Sequence, residues 1–372
     1  YPEVFFNEDG QKREDAGFDA VIGNPPYVRM EEFKEVKSFF ESEYETHAAR
    51  TDLYVYFIER SLEVSRDQGR YGVIVSNKFI RANYGAPVRS LLTSTSQIQE
   101  IIDFGGLPVF PDATVRSAIL SVKNTKSSKD TPFYAPIDHL DFGSLSTEVS
   151  QAGYKVDPDG LKGEEWRLVN QEVSNLMNKV EQNGSPLIEV IEDEEVCRGI
   201  VTGLNEAFFL DESEYQALIK QDPRSKEIIK PMIRGENIRR YYIQNSSQYI
   251  IYTPHGVDID QYPAIEEYLE QYKDKLEGRA TEQEWYELQQ PQGEYVDYFE
   301  DAKILYPEIA PEARFAFDPD PLYPNNKCFF LPSENKALVG LLNSKLSLFY
   351  LEKAQLMMQL ILLNGIFLCF QS

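Results

Sequence analysis

Phe18-Asp19-Ala20-Val21-Ile22-Gly23-Asn24-Pro25-Pro26-Tyr27 is the stretch that decides the fold of this chain. Phe18 to Gly23 is a short, largely apolar run of strand length, and it predicts a buried strand. The run halts at Asn24-Pro25-Pro26-Tyr27, because proline has no N–H to give a sheet ladder and holds φ near −65°. A rigid turn at a strand end is therefore expected, with the side chains after it on display. In an open, mostly parallel α/β sheet, ligands bind at that edge.

Outward from this turn, Leu53, Phe57, Leu62 and Val64 recur near helical spacing, and Gly69 is the expected terminator. Arg70 to Ser76 reads as the next buried strand, Ala86 to Ser94 as a helix, and Ile98 to Phe104 and Ser117 to Val122 as two strands. This order fits the closing half of a mostly parallel α/β sheet whose first half would lie before Tyr1. The polar run Asn124 to Asp130 reads as a hinge or loop. After the turn Asp157-Pro158-Asp159-Gly160 and a helix around Glu172 to Gln182, a second, α+β domain is expected to begin near Ser185. Its strands are expected at Phe208 to Leu210, Tyr249 to Tyr252 and Cys328 to Leu331, and its helices at Ala264 to Gly278 and Lys336 to Glu352. The expected division is thus 1–125 for the sheet domain, 126–184 for a connecting region and 185–372 for the second domain.

A chain of 372 residues with 42% hydrophobic and 26% charged residues has the composition of a folded, two-domain protein. Its formal net charge of −24 would repel a polyanion if spread evenly, so any nucleic-acid contact has to come from cations gathered locally. Cys197, Cys328 and Cys369 form no CxxC pair. With three widely spaced histidines they argue against a disulfide scaffold and a zinc site, and fit a reducing cytoplasm. No signal-peptide pattern opens the sequence. Leu356 to Phe370 is apolar but is interrupted by Gln359, Asn364 and Gly365, and it falls short of the roughly 18–20 residues a membrane span needs. It reads either as a docked helix or as an end that promotes self-association.

The Asn-Pro-Pro-Tyr turn has a chemical reading. An exocyclic adenine amine is weakly nucleophilic because its lone pair is delocalised into the ring. Acceptors that hold its hydrogens favour a pyramidal, reactive nitrogen. The Asn24 side-chain oxygen and the Pro25 carbonyl are candidates, and Tyr27 offers a plate on which an extruded base can stack. The plainer reading is a rigid turn whose tyrosine closes a core.

FDAVIGNPPYVR resembles the signature of the gamma-type adenine-N6 DNA methyltransferases of restriction and phage-defence systems. The similarity continues in Thr51-Asp52-Leu53-Tyr54, in Gly69 to Val75 with Asn77-Lys78-Phe79, and in Pro108 to Ala113. The resemblance implies a partial Rossmann-like methyltransferase sheet and S-adenosylmethionine as methyl donor. It gives catalytic roles to Asn24, Pro25, Pro26 and Tyr27, with Phe110 as a second stacking face. The later segments Gly199 to Phe208, Ile229 to Gly235 and Leu338 to Tyr350 resemble a target-recognition domain of TaqI-like or Eco57I-like type. Double-stranded DNA is the implied partner.

The family's glycine-rich donor loop and ribose-binding acid are absent from the 23 residues before Asn24. The donor site is therefore expected on a missing N-terminal segment, in cis or in trans, and this chain is expected to be inactive alone. For DNA contact the candidates are Lys78, Arg81 and Arg89 in the first domain, and Arg234, Arg239 and Arg240 beside Tyr241 and Tyr242 in the second. A surface turn with internally paired charges is the plainer alternative for the second group. A DNA-binding or assembly module without catalysis stays open as another function class.

Overall fold

The computed structural model of the chain describes residues 1–29, 32, 34–111, 115–125, 131–162, 166–191, 196–244, 247–353 and 367–368. The chain divides into two compact units, Tyr1–Leu176 and Met177–Ser372.

The first unit is built on a six-stranded sheet: β1 (Phe18–Gly23), β2 (Ser65–Ser76), β3 (Gln97–Asp103), β4 (Ser117–Lys123), β5 (Phe133–Pro136) and β6 (Tyr154–Lys155), in the order β1-β2-β4-β3-β5-β6. β1 runs parallel to β2 and β3 parallel to β5, whereas β4 is inserted antiparallel between β2 and β3. From Ala118 on, β4 alternates with a period of two, with Ala118, Leu120 and Val122 buried. Helix α1 (Tyr54–Val64) buries Tyr54, Ile58 and Leu62 at four-residue spacing, and α2 (Ala86–Thr95) buries Val88 and Leu92 in the same way. These residues join Tyr71, Val73 and Val75 in one core. The α/β class read from the sequence is the one observed, and the strands expected at 70–76, 98–104 and 117–122 are present, but the sheet is mixed where a mostly parallel one was expected, with two parallel and three antiparallel pairings.

Two local expectations are corrected. β1 is an edge strand, not a buried one: among the described strands it pairs only with β2, and Ile22 is 88% exposed. Apolar composition marks a strand that can be covered, but the cover must come from a neighbour. Helix α1 ends at Val64 and not at Gly69, because the Asn124 side-chain amide lies 2.8 Å from the Ser65 carbonyl and 3.1 Å from that of Leu62. Gly69 serves a close approach instead, since a Cβ there would lie 2.9 Å from the Phe18 carbonyl oxygen. Within the stretch read as a connector, residues 133–136 and 154–155 add two strands to the sheet.

The second unit holds two four-stranded sheets. Besides a short pair of Ser185–Pro186 with Phe367–Leu368, its strands in chain order are β7 (Cys197–Arg198), β8 (Phe209–Asp211), β9 (Ile229–Ile233), β10 (Ile238–Arg239), β11 (Tyr242–Ile243), β12 (Gln248–Ile251), β13 (Lys303–Pro307), β14 (Ala316–Asp318), β15 (Tyr323–Pro324) and β16 (Cys328–Pro332). One sheet has the order β15-β9-β12-β8, the other β14-β13-β16-β7, and β10 pairs with β11 as a separate hairpin. β13 and β16 are buried at every position, as central strands should be. Helix α3 (Glu212–Gln221) starts at a reciprocal cap: the Asp211 carboxylate accepts from the Glu214 N–H at 2.9 Å, and the Glu214 carboxylate accepts from the Asp211 N–H at 2.8 Å.

Both long helices expected here are split. Pro263–Glu270 is followed by a separate Lys273–Glu277, and Lys336–Leu342 (α4) by Lys345–Lys353 (α5). The second break falls at buried Asn343, whose side chain accepts from the Phe315 N–H at 3.1 Å and donates to the Phe315 carbonyl at 2.7 Å. These tertiary bonds hold the turn where periodicity alone would carry the helix on. A fully buried ion pair ties β13 to β14: Lys303 Nζ lies 3.0 Å from the Asp318 carboxylate and also donates to the carbonyls of Phe299, Asp301 and Asp320. Burial pulls the Lys303 ammonium below its ordinary pKa and pushes the Asp318 carboxyl above its own. The backbone of residues 367–368 apart, the apolar tail read over Leu356 to Phe370 lies outside the described residues, as do residues 126–130 of the expected hinge and Cys369.

Candidate functional site

β1 delivers Asn24 to Tyr27 to the carboxyl end of the sheet, beside the end of β2. Asn24 and Pro26 are exposed, Pro25 is buried and Tyr27 is half-buried. The turn is fixed by two bonds, one to β2 and one from the residue ahead of α1. The Tyr27 hydroxyl donates to the Ile74 carbonyl at 3.2 Å, and the Leu53 N–H donates to the Val28 carbonyl at 2.9 Å. Burial raises the pKa of the Tyr27 phenol, partly offset by the Ser117 hydroxyl, so the ring remains a neutral plate. Among the described residues neither the Asn24 amide nor the Pro25 carbonyl has a hydrogen-bond partner. Both acceptors are thus uncommitted.

Phe110 comes to the same place from a different part of the chain. Its ring centroid is 6.0 Å from that of Tyr27, with the planes at 54°. A flat base between two parallel rings needs two contacts of about 3.5 Å. The pair therefore has to turn toward parallel and part by about 1 Å to admit one. Asp112 and Ala113, just beyond Phe110, lie outside the described residues.

The segment leading to Phe110 springs from a carboxylate that the sequence reading passed over. Asp103, at the end of β3 and 3% exposed, accepts from Asn77 at 2.7 Å, the Gly105 N–H at 2.9 Å, Tyr134 at 3.0 Å and Arg81 at 3.1 Å. Burial, with the Asp103 charge next in size, keeps the Tyr134 phenol protonated. Gly105 takes φ +56 at the first step of the segment, a conformation that suits glycine. The local signal for it is Asn77-Lys78-Phe79, whose asparagine is the group that donates to Asp103.

The cations of the first unit divide by burial. Lys78 is exposed, without an ion-pair partner among the described residues. Arg81 is paired with buried Asp103, its side chain 39% exposed. Arg89 is buried, donating to the Phe79 carbonyl at 2.6 Å and that of Ala82 at 3.0 Å, which removes it from the phosphate candidates. Gly85 makes room for this contact, since a Cβ there would lie 2.7 Å from the Arg89 guanidinium.

In the second unit Arg234 lies on a cavity of about 440 Å³, together with Lys327, Asn205, Asn325 and Phe209. Its guanidinium sits 4.9 Å from the Phe209 ring centroid and 3.7 Å from Glu236, and its Nε is buried without a hydrogen-bond partner among the described residues. Arg239 is committed to the local backbone, donating to the carbonyls of Glu236 and Ile238 and, at 2.9 Å, to the Gln244 side chain. Arg240 is exposed and spends one hydrogen bond, 2.6 Å, on the Asn343 carbonyl. Among the described residues no cluster of three or more His, Cys, Asp or Glu side chains is placed to hold a metal ion. No described helix is long and apolar enough to cross a membrane.

An α/β sheet that ends in an Asn-Pro-Pro-Tyr turn faced by a second aromatic, followed by a separate two-sheet unit, has the architecture of a methyltransferase domain with a specificity domain. Comparison with known proteins agrees. Residues 1–110 match the Eco57I restriction-modification methylase family, and residues 230–361 match the TaqI-like C-terminal specificity domain. Among curated proteins, the chain is 27% identical over 360 residues to the type II methyltransferase M.PaeR7I of Pseudomonas aeruginosa, covering 89% of this chain and 59% of that protein. It is 26% identical over 341 residues to the type II methyltransferase M.BstVI of Geobacillus stearothermophilus, with 84% and 59% covered. The fold is shared with the type IIL restriction-modification enzyme MmeI, solved in complex with DNA, at a TM-score of 0.59 and 16% identity over 87% of this chain and 42% of that one. The match is thus at family level, to type II DNA methyltransferases with a TaqI-like specificity domain. The chain spans about three fifths of the length of these curated relatives.

Proposed function

We propose that this chain carries the target-base pocket and the specificity domain of an adenine-N6 DNA methyltransferase of a restriction-modification or phage-defence system. The observation that carries the reading is the meeting of Tyr27 and Phe110 at 6.0 Å beside two uncommitted acceptors, the Asn24 amide oxygen and the Pro25 carbonyl. An adenine turned out of duplex DNA stacks between the two rings, which offsets part of the cost of unstacking it. Its amine then donates one hydrogen to Asn24 and the other to Pro25. This holds the nitrogen lone pair out of the ring plane, toward the incoming carbon. Transfer would be direct, the methyl carbon passing to the amine nitrogen as its bond to the donor sulfur breaks and the amine giving up one proton, with no covalent enzyme intermediate.

In the complete enzyme S-adenosylmethionine supplies the methyl group. The described residues do not form a cradle for it. Gly17 is pressed on the Arg66 backbone, where a Cβ would lie 2.4 Å from the Arg66 nitrogen, and Gly10 stands open with nothing within 4 Å. We place the donor on a further segment that pairs with the edge of β1 left open among the described strands and covers Ile22, since an apolar, open sheet edge is a surface for another strand. The greater length of the relatives leaves room for such a segment. Lys78 and Arg234 are among the cations that meet DNA, and the enzyme acts in the cytoplasm.

The test is a methyl-transfer assay on duplex DNA with labelled donor, run on this chain alone and on the chain extended by its genomic upstream segment. Labelled N6-methyladenine is expected only with the extended chain. Duplex binding without transfer in either case would make the chain a specificity or assembly module instead.

A further inference from the structure

The sequence points to Arg234, Arg239 and Arg240 as the groups of the second unit that meet DNA, yet the two tyrosines after Arg240 are also exposed. β10 and β11 pair as Ile238↔Ile243 and Arg239↔Tyr242, so Arg240 and Tyr241 form a two-residue hairpin turn. Such turns call for residues that accept positive φ, chiefly glycine, asparagine and aspartate. This one holds a tyrosine at φ +75. A bulky side chain kept in that region is strained, and strain of this kind collects where function demands the side chain.

The tip is also braced from below. The Tyr241 N–H donates to the Phe315 carbonyl at 3.0 Å, and Arg240 donates to the Asn343 carbonyl at 2.6 Å. Asn343 is itself buried and bonded to Phe315 on both its backbone groups. What the braced tip presents is aromatic: Tyr241 is 53% exposed and Tyr242 59%, with the Arg240 guanidinium 5.2 Å from the Tyr241 ring centroid. Arg240 has spent one of its five N–H donors on the protein, so the rest remain for a ligand. A rigid aromatic plate beside a guanidinium suits a partner that is both stacked and anionic.

We propose that the Arg240-Tyr241-Tyr242 tip is a duplex-DNA contact, with Tyr241 laid as a wedge against a base step and Arg240 on the adjoining phosphate. The proposal rests on the DNA reading above and assigns the contact chiefly to an aromatic residue, where charge alone points to the arginines.

The test uses the full chain and a labelled duplex of mixed sequence, with binding followed by anisotropy across a salt series and each variant melted in parallel. Tyr241→Gly and Tyr241→Asn fit φ +75 with less strain, so both should melt at or near the wild-type temperature while binding the duplex about tenfold more weakly. Tyr241→Phe should bind as the wild type does. Arg240→Gln should lower the slope of log affinity against log salt by about one. Wild-type affinity in Tyr241→Gly, or a loss that only tracks a lowered melting temperature, overturns the wedge. A wild-type chain that binds no duplex overturns the DNA reading itself, and the wedge with it.

Discussion

The turn after β1 and the turn after β10 each set polar residues at the end of a strand, and they use them in opposite ways. At Asn24–Tyr27 the backbone and the tyrosine hydroxyl hold the turn in place, while the Asn24 amide and Pro25 carbonyl have no described partner. At Arg239–Tyr242 one guanidinium is consumed by the Glu236 and Ile238 carbonyls and Gln244, and the next is braced on Asn343. Two prolines stiffen the first turn without using side-chain donors, so its polar groups are left for chemistry. The second has no such stiffener and recruits its own arginines. A polar residue is therefore a better candidate for function where something else holds the backbone still.

The largest effect separating the two uses should come from a charge wholly consumed by the fold. Lys303→Ala leaves the Asp318 carboxylate buried without its counter-ion, at a cost of about 3–5 kcal/mol. The melting temperature of the second unit should fall by on the order of 10 °C. The double variant Lys303→Met with Asp318→Leu should recover most of that loss, because two apolar side chains strand no charge. A double variant as unstable as the single one would mean that the pair contributes more than mutual neutralisation.

Asn24→Ala should do the reverse. In the complete enzyme it should lower methyl transfer by roughly 10²–10³-fold, the range for losing one preorganised polar group at a reacting centre. Melting temperature and duplex affinity should hardly move, since the side chain is exposed and bonded to nothing described. Transfer unchanged by the substitution would return the turn to a purely structural role.

Asp103→Asn falls between these, because Asp103 is consumed by the fold on behalf of the site. An amide has one acceptor oxygen where the carboxylate has two, so at least one of the bonds from Asn77, Gly105, Tyr134 and Arg81 is lost. A cost of about 1–3 kcal/mol is expected. Faster hydrogen exchange at the Gly105 N–H would place the loosening at the root of the segment that leads to Phe110. Exchange as slow as in the wild type would detach Phe110 from this carboxylate.

What could be read in the sequence follows the same division. The strand-turn of Phe18 to Tyr27 was legible because proline geometry is local, and the pairing of Phe110 with Tyr27 because the resemblance named both positions. Edge exposure was not legible: Ile22 looks like a core residue in any window, and its burial depends on a neighbouring strand. Nor were the uses of individual arginines. Arg81, Arg89, Arg239 and Arg279 all read as surface cations or escape notice, yet Arg89 is buried and Arg279 donates to the carbonyls of Thr202, Trp285 and Glu287. A guanidinium reaches several acceptors at once, and which ones it finds depends on contacts far apart in sequence. The break at Asn343 was hidden for the same reason, since its partner Phe315 lies 28 residues away. The motif glycines gain a meaning only in three dimensions: a Cβ on Gly199 would lie 2.1 Å from the Asn325 carbonyl oxygen, and one on Gly235 2.5 Å from that of Lys327.

The smallest effect is the most direct check on whether Arg239 is a strut or a phosphate contact, because charge and shape can be varied separately. Arg239→Lys keeps the charge, but a single ammonium cannot span the Glu236 and Ile238 carbonyls and the Gln244 side chain together. Arg239→Gln removes the charge as well. If the residue braces the hairpin, both variants should lose about 1 kcal/mol, or roughly 2–4 °C, and both should keep the wild-type salt dependence of duplex binding. If it neutralises a phosphate, the lysine should bind with the wild-type salt slope and only the glutamine should flatten it, by about one. The bonds already formed on the protein side favour the first pattern. A flattened slope in the glutamine variant alone, with normal melting in both, would show that those bonds give way when DNA arrives.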